Sequence, residues 1–184
     1  MLADLLRHWQ KTINLVSPPS LQHLWLRHIA DSAQVIRLAP DARCWLDFGS
    51  GAGFPGLVAA ILRRNVTGSV THLVESDQRK CAFLREVSRE THVNCQIHNM
   101  RIELFDADAA LRPDVVSARA LAALPLLMGY AEKYLLMGAL GLFPKGQHIG
   151  VELTKVATDS RFSFDKRRSI TDDLAQIVLV KARN

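Results

Sequence analysis

The sequence predicts an α/β fold: a mostly parallel sheet of seven strands with helices on both faces, a helical extension at the front and an antiparallel strand pair at the end. Three observations predict it. From residue 41 onward, short apolar runs alternate with helical patterns, the rhythm of strand-helix-strand crossovers. A glycine cluster, "GSGAGFPG" from Gly49 to Gly56, stands where the first such run passes into the first such helix. Residues 1–40 carry helical periodicity alone, so they read as an extension to the alternating core.

Leu2, Leu5, Leu6, Trp9 and Ile13 recur at helical spacing, which predicts an amphipathic helix over 2–13. Leu21, Leu24, Trp25, His28, Val35 and Ile36 predict a second over 21–36. Between them Ser17-Pro18-Pro19-Ser20 reads as a break, with Ser20 placed as the N-cap of the second helix. Beyond Pro40, strands are expected at 43–48, 69–75, 93–98, 114–117 and 139–143, with helices at 55–63, 78–91 and 121–136. A helix near 147–157 then leads to a hairpin-like pair, 161–168 and 175–182, joined by a turn at 169–173. No repeat, low-complexity tract or linker interrupts this order. One domain over residues 1–184 is expected, with an extension at 1–40 and a core at 41–184.

A chain of 184 residues with 48% hydrophobic content is long enough to bury one sizeable core. Cys44, Cys81 and Cys95 show no paired spacing with one another or with histidine, so neither a disulfide framework nor a bound metal is expected. Nothing approaches a run of about 18 apolar residues. Asp4, Arg7 and His8 are mixed among the first leucines rather than grouped ahead of an apolar stretch, so no signal peptide is expected either. These features suit a cytoplasmic protein without a membrane span, expected to act as a monomer. The net charge of +5 suits a polyanionic partner, although so mild an excess discriminates weakly alone.

The glycine cluster fits two patterns. From Gly51 it reads G-x-G-x-x-G, the loop that seats a dinucleotide pyrophosphate on a helix N-terminus. From Asp47 it reads D-x-G-x-G-x-G, a pattern associated with S-adenosylmethionine. A carboxylate just ahead of the glycines would repel a pyrophosphate, yet could face the cationic amino group of a methionine moiety. Glu75, closing the second strand, is placed to accept the hydroxyls of an adenosine ribose in either case. Asp47 and the antiparallel closing pair, which plain dinucleotide-binding domains lack, favour S-adenosylmethionine and a Rossmann-like class I methyltransferase. Pro55 suits the first helical turn, where its missing N–H costs nothing.

Several stretches together resemble one family. They are "HWQKTINLVS" (8–17), "RHIADS" (27–32), "LDFGSGAGFPG" (46–56), "VESDQRKCAFLREV" (74–87), "VVSARALAAL" (115–124) and "LFPKGQ" (142–147), in the expected order over most of the chain. The sequence is similar to the bacterial 16S ribosomal RNA guanine-N7 methyltransferases, known as RsmG or glucose-inhibited division protein B. Members of that family carry a further helical segment ahead of the position of Met1. The resemblance implies methyl transfer from S-adenosylmethionine to N7 of one guanine in the 16S ribosomal RNA of the small subunit, with naked RNA or the small ribosomal subunit as partner.

By matching positions, the resemblance implies a cofactor site of Asp47, Gly49, Ser50, Gly51, Gly53 and Phe54, with Glu75 and Ser76 at the ribose and Arg101 and Ile102 edging the adenine. It places Arg119 and Lys145, at the ends of the fourth and fifth strands, as catalytic candidates where open sheets hold their ligands. Arg119 is also a cofactor candidate, because a cation beside the sulfonium must aim at the methionine carboxylate or at the substrate. Arg27, His28, Asp31, Ser32 and Pro55, with Lys145, are implied on the substrate side. Guanine N7 has an exposed lone pair and no proton, so attack on the methyl needs no general base. The fourth strand accordingly ends in Ser117-Ala118-Arg119-Ala120 rather than the Asn/Asp-Pro-Pro-Tyr of exocyclic amine methylation. Arg63-Arg64, Arg79-Lys80 and Lys166-Arg167-Arg168 read as phosphate contacts when taken as a set. The rival readings are a dinucleotide-dependent oxidoreductase, a methyltransferase of another RNA or a small molecule, and a cofactor-sensing RNA-binding module without activity.

Overall fold

In the computed structural model, which describes residues 1–105 and 111–183, seven strands form one sheet in the order β3-β2-β1-β4-β5-β7-β6. The strands are β1 (Cys44–Phe48), β2 (Val70–Glu75), β3 (Cys95–Asn99), β4 (Val115–Ala118), β5 (Leu140–Lys145), β6 (Phe162–Arg168) and β7 (Gln176–Ala182). Only β7 runs against its neighbours, pairing antiparallel with both β5 and β6. The chain order reverses between β1 and β4, so a cleft opens beyond the carboxyl ends of these strands, where open sheets bind their ligands.

The helices are α1 (Leu2–Trp9), α2 (Pro18–Gln22), α3 (Asp31–Ile36), α4 (Gly56–Leu62), α5 (Gln78–Thr91), α6 (Leu124–Leu136) and α7 (Ile149–Thr154). One buried cluster joins the extension to α4, α5 and one sheet face through Leu6, Leu24, Val35, Trp45, Leu57 and Phe83. The other packs α6 and α7 on the opposite face through Phe48, Val116, Leu127, Tyr134, Leu135 and Phe143. β1 and β4 are buried between them, as parallel strands flanked by helices must be. Among the described residues no helix is long and apolar enough to cross a membrane.

The core follows the expected order to within a few residues at each boundary. The extension does not. The helix expected over 2–13 stops at Trp9, and Gln10 turns the chain by accepting the backbone N–H groups of Leu15 and Val16 at 3.0 Å. The helix expected over 21–36 starts earlier and breaks. Pro18 and Pro19 form the first turn of α2, so Ser17 is its N-cap and Ser20 lies inside it, donating to the Ser17 carbonyl at 2.8 Å. A π-helical turn, Trp25–Ala30, then joins α2 to α3. Trp25, which α-helical spacing sets on the apolar face, is exposed in this turn. α4 begins at Gly56 with Pro55 as its cap, α6 begins at Leu124 and α7 is shortened to Ile149–Thr154.

Candidate active site

The cleft measures about 940 Å³ and is lined by residues from both halves of the sheet and from the extension. The glycine loop supplies Gly49, Ser50, Gly51 and Phe54; the end of β2 supplies Glu75 and Ser76; the segment after β3 supplies Met100, Arg101, Ile102 and Glu103. Arg119 and Lys145 come from the ends of β4 and β5, and Arg27, His28 and Asp31 come from the extension.

The loop turns on left-handed backbone. Gly51 has φ +53, and a Cβ built there would meet only the Gly49 carbonyl, at 3.7 Å, so the space beside it is open cleft. The Glu75 carboxylate fixes this turn from below, accepting the Gly51 N–H at 2.9 Å and the Asp77 N–H at 2.8 Å. A glycine-rich loop at the cleft floor and a carboxylate at the strand end fit the methionine and ribose ends of S-adenosylmethionine. At the far side, the Tyr130 hydroxyl donates to Glu103 at 2.8 Å and bounds the slot beside Ile102.

Four of the positions expected at the site lie off the lining of the cleft. Asp47 is fully buried and off the cleft wall, because the pleat of β1 turns its side chain toward Gly56 under the loop. Its Oδ1 accepts the Ser117 hydroxyl at 2.6 Å, that hydroxyl accepts the Trp45 indole N–H at 2.8 Å, and Oδ2 has no hydrogen-bond partner among the described residues. Gly53 is also beneath the wall: its φ of +84 and the closeness of Leu57 make it a packing glycine. Pro55 caps α4 out of the cleft, and Ser32 is buried, its hydroxyl donating to the His28 carbonyl at 2.6 Å.

Burial pushes the Asp47 carboxyl up from 3.8 to about 6, against the pull of the Ser117 hydroxyl. The folded protein holds this proton more tightly than the unfolded chain, so the group's contribution to stability falls as pH rises through that window. At neutral pH the ionised form costs roughly 3 kcal/mol. The melting temperature of Asp47→Asn relative to the parent is therefore expected to climb between about pH 4 and pH 6 and level off above. A difference independent of pH would show that the carboxylate titrates normally.

Arg119 is anchored on three sides. It donates from Nη2 to His28 Nδ1 at 2.8 Å and from Nη1 to the Arg27 carbonyl at 3.0 Å, with Asp31 Oδ2 at 3.4 Å. His28 stacks on Phe54 with ring centroids 4.9 Å apart, and the guanidinium lies 5.1 Å from the centre of the same ring. Because Nδ1 accepts from Arg119, the proton of neutral His28 sits on Nε2, which donates to the Ser20 hydroxyl at 3.0 Å. Burial and then the Arg119 charge push the imidazole down to about 4, so it stays neutral. Ala120, next in line, holds a left-handed φ of 52 at the rim, a strained conformation for a side-chain-bearing residue.

Lys145 reaches the cleft, yet its Nζ is engaged: it donates to the Ala122 carbonyl at 2.5 Å and pairs with Glu152 at 2.8 Å. The same carboxylate accepts the Leu124 N–H, so this pair holds the start of α6. Several lining residues were invisible in the sequence. By sequence Ser20 reads as a cap, Tyr130 as one more position of the helix over 121–136, and Thr171 and Asp172 as turn residues. The polar turn at 169–173 was the available signal, without anything to say what it faced. Among the described residues no group of three or more His, Cys, Asp or Glu is placed to hold a metal.

The sheet order, the single antiparallel strand and the glycine-floored cleft define a class I methyltransferase that uses S-adenosylmethionine. Solved structures of this class share the fold at low identity. A SAH-bound methyltransferase of Podospora anserina superposes with a TM-score of 0.71 at 12% identity, over 100% of this chain and 88% of that one. An O-methyltransferase from Streptomyces achromogenes in complex with SAM gives 0.67 at 16%, with the same two coverages. The chain belongs to the GidB family, rRNA small subunit methyltransferase G, which it matches over residues 1–176. It is 51% identical over 178 residues to the ribosomal RNA small subunit methyltransferase G of Parvibaculum lavamentivorans, covering 96% of this chain and 78% of that protein. The protein of the same name from Ruegeria pomeroyi is 47% identical over 182 residues, covering 98% and 87%.

Proposed function

We propose that this chain, acting as one unit with its helical extension, methylates N7 of a guanine in the 16S ribosomal RNA of the small subunit. Family membership and the names of its relatives support the ribosomal RNA substrate. The choice of N7 is carried by one observation: among the described residues, the carboxylates and the histidine that line the cleft are all engaged. Glu75 holds two backbone N–H groups, Asp31 holds Thr171, Gln34 and Arg119, and Asp172 holds Arg27. Glu103 holds Tyr130, and His28 accepts from Arg119. A nucleophile that must lose a proton would find no ready base here, whereas guanine N7 brings its own lone pair.

Bound S-adenosylmethionine supplies an electrophilic methyl group on a positively charged sulfur. Gly49, Ser50 and Gly51 would wrap its methionine end, Glu75 and Ser76 the ribose, and Arg101 and Ile102 the adenine. Asp47 would act from under the loop, through its field rather than by contact. Arg119, locked by His28 and Asp31, would hold the methionine carboxylate or the substrate in line; Phe54, His28, Asp31 and Arg27 would wall the guanine, with Lys145 fixing the rim. The contribution to rate is then alignment.

The test supplies labelled S-adenosylmethionine with deproteinised ribosomal RNA or with intact small subunits. The modified base is mapped by cleavage chemistry selective for N7-methylated guanine. Label at a single guanine N7 is expected; label on an exocyclic amine, a pyrimidine or a small molecule alone overturns the reading.

A further inference from the structure

We infer that the turn between β6 and β7 is a preformed rim for unpaired RNA beside the target guanine: Ile170 and Leu174 contact nucleobases while Lys166 and Arg168 contact phosphates. This rests on the proposed RNA substrate and adds where the strand runs.

Hairpin tips are ordinarily among the looser parts of a fold. This one is pinned. Gln34 accepts the Ile170 N–H at 2.8 Å and donates to the Ser169 hydroxyl at 2.8 Å. The Thr171 hydroxyl donates to Asp31 at 2.8 Å, and Asp172 pairs with Arg27 at 2.8 Å. Within the turn, Asp172 accepts the Leu174 N–H at 3.0 Å. Yet the two large aliphatic side chains on this rigid frame are given to solvent, Ile170 75% and Leu174 65% exposed. Ordering the backbone costs conformational entropy, and leaving both side chains in water recovers nothing in the free protein. A partner that covers them recovers it.

Position and charge identify that partner. Ser169, Thr171 and Asp172 line the cleft, so Ile170 stands within one residue of its wall. β6 is the sheet edge and climbs toward the cleft with Lys166, Arg167 and Arg168 all exposed. Arg167 is neutralised by Asp165, whereas Lys166 and Arg168 form no ion pair among the described residues. Asp173 is the opposing charge at the tip. Two cations leading to apolar side chains at a cleft mouth suit a backbone with unstacked bases. Guanine N7 lies in the deep groove of an A-form helix, so the target must be unstacked, and apolar side chains serve at such steps by contacting the separated bases.

The double variant Ile170→Ala/Leu174→Ala and the single variant Arg168→Ala test this. Calorimetry with S-adenosylmethionine and the melting temperature should match the parent, which excludes misfolding. Anisotropy of a labelled ribosomal RNA fragment is expected to show about tenfold weaker binding by the double variant. For Arg168→Ala the slope of log affinity against log salt should fall by roughly 0.7 to 0.9. 2-Aminopurine placed beside the target guanine should brighten with the parent and stay quenched with the double variant. Parental affinity and parental brightening in the double variant overturn this inference alone; a parent that binds no ribosomal RNA overturns the functional reading with it.

Discussion

Gly56→Ala is expected to cost about 3 kcal/mol or more, lowering the melting temperature of a chain this size by about 6 to 12 °C. A Cβ at Gly56 would collide with Leu73 and stand 2.7 Å from Asp47 Oδ2 and 2.9 Å from Asp47 Cβ. The end of the leucine can give way, but Asp47 cannot, since it is fully buried and tied to Ser117 across the β1–β4 junction. α4 would lift from the sheet and carry the glycine loop with it. Thermal melting with and without S-adenosylmethionine reads both losses, and a variant that melts with the parent would refute the close approach of helix and strand.

Arg119→Ala is expected to lower kcat/KM for methyl transfer by about a hundredfold or more, the scale on which misplaced reacting groups cost rate. Arg119→Lys should recover little of it. A lysine has one point of attachment, whereas the guanidinium spans His28 Nδ1 and the Arg27 carbonyl at once. Calorimetry separates the two roles open to this side chain: intact cofactor affinity places it on the substrate, and lost affinity places it on the methionine carboxylate. Unchanged turnover in Arg119→Ala would remove it from the site.

Much of the cleft was legible because its elements are local. Alternating apolar runs placed β1 to β5 and the closing pair, and glycines between a strand and a helix placed the loop, since both patterns follow from the burial of neighbouring residues. The place of Glu75 on the cleft wall follows for the same reason, since it closes β2 at its carboxyl end. For Asp47 the same logic does not give the direction of the side chain. Its sequence position beside the glycines said that it was close to the cofactor, but the pleat of β1 decided which way it pointed, and that depends on the packing of α4 against β2.

The sequence by itself determined the order of the elements, the parallel sheet with its antiparallel edge, the glycine floor and the family resemblance. Only the tertiary structure decided that Arg119 is clasped by His28, 91 residues away, and that Asp31 meets Thr171 across 140 residues. The physical reason is that hydrophobic periodicity records which face of an element is buried, a property of each segment alone. A polar contact between distant segments leaves no periodic trace, and its partners become neighbours only when the sheet order brings the extension and the last hairpin to the same end of the cleft.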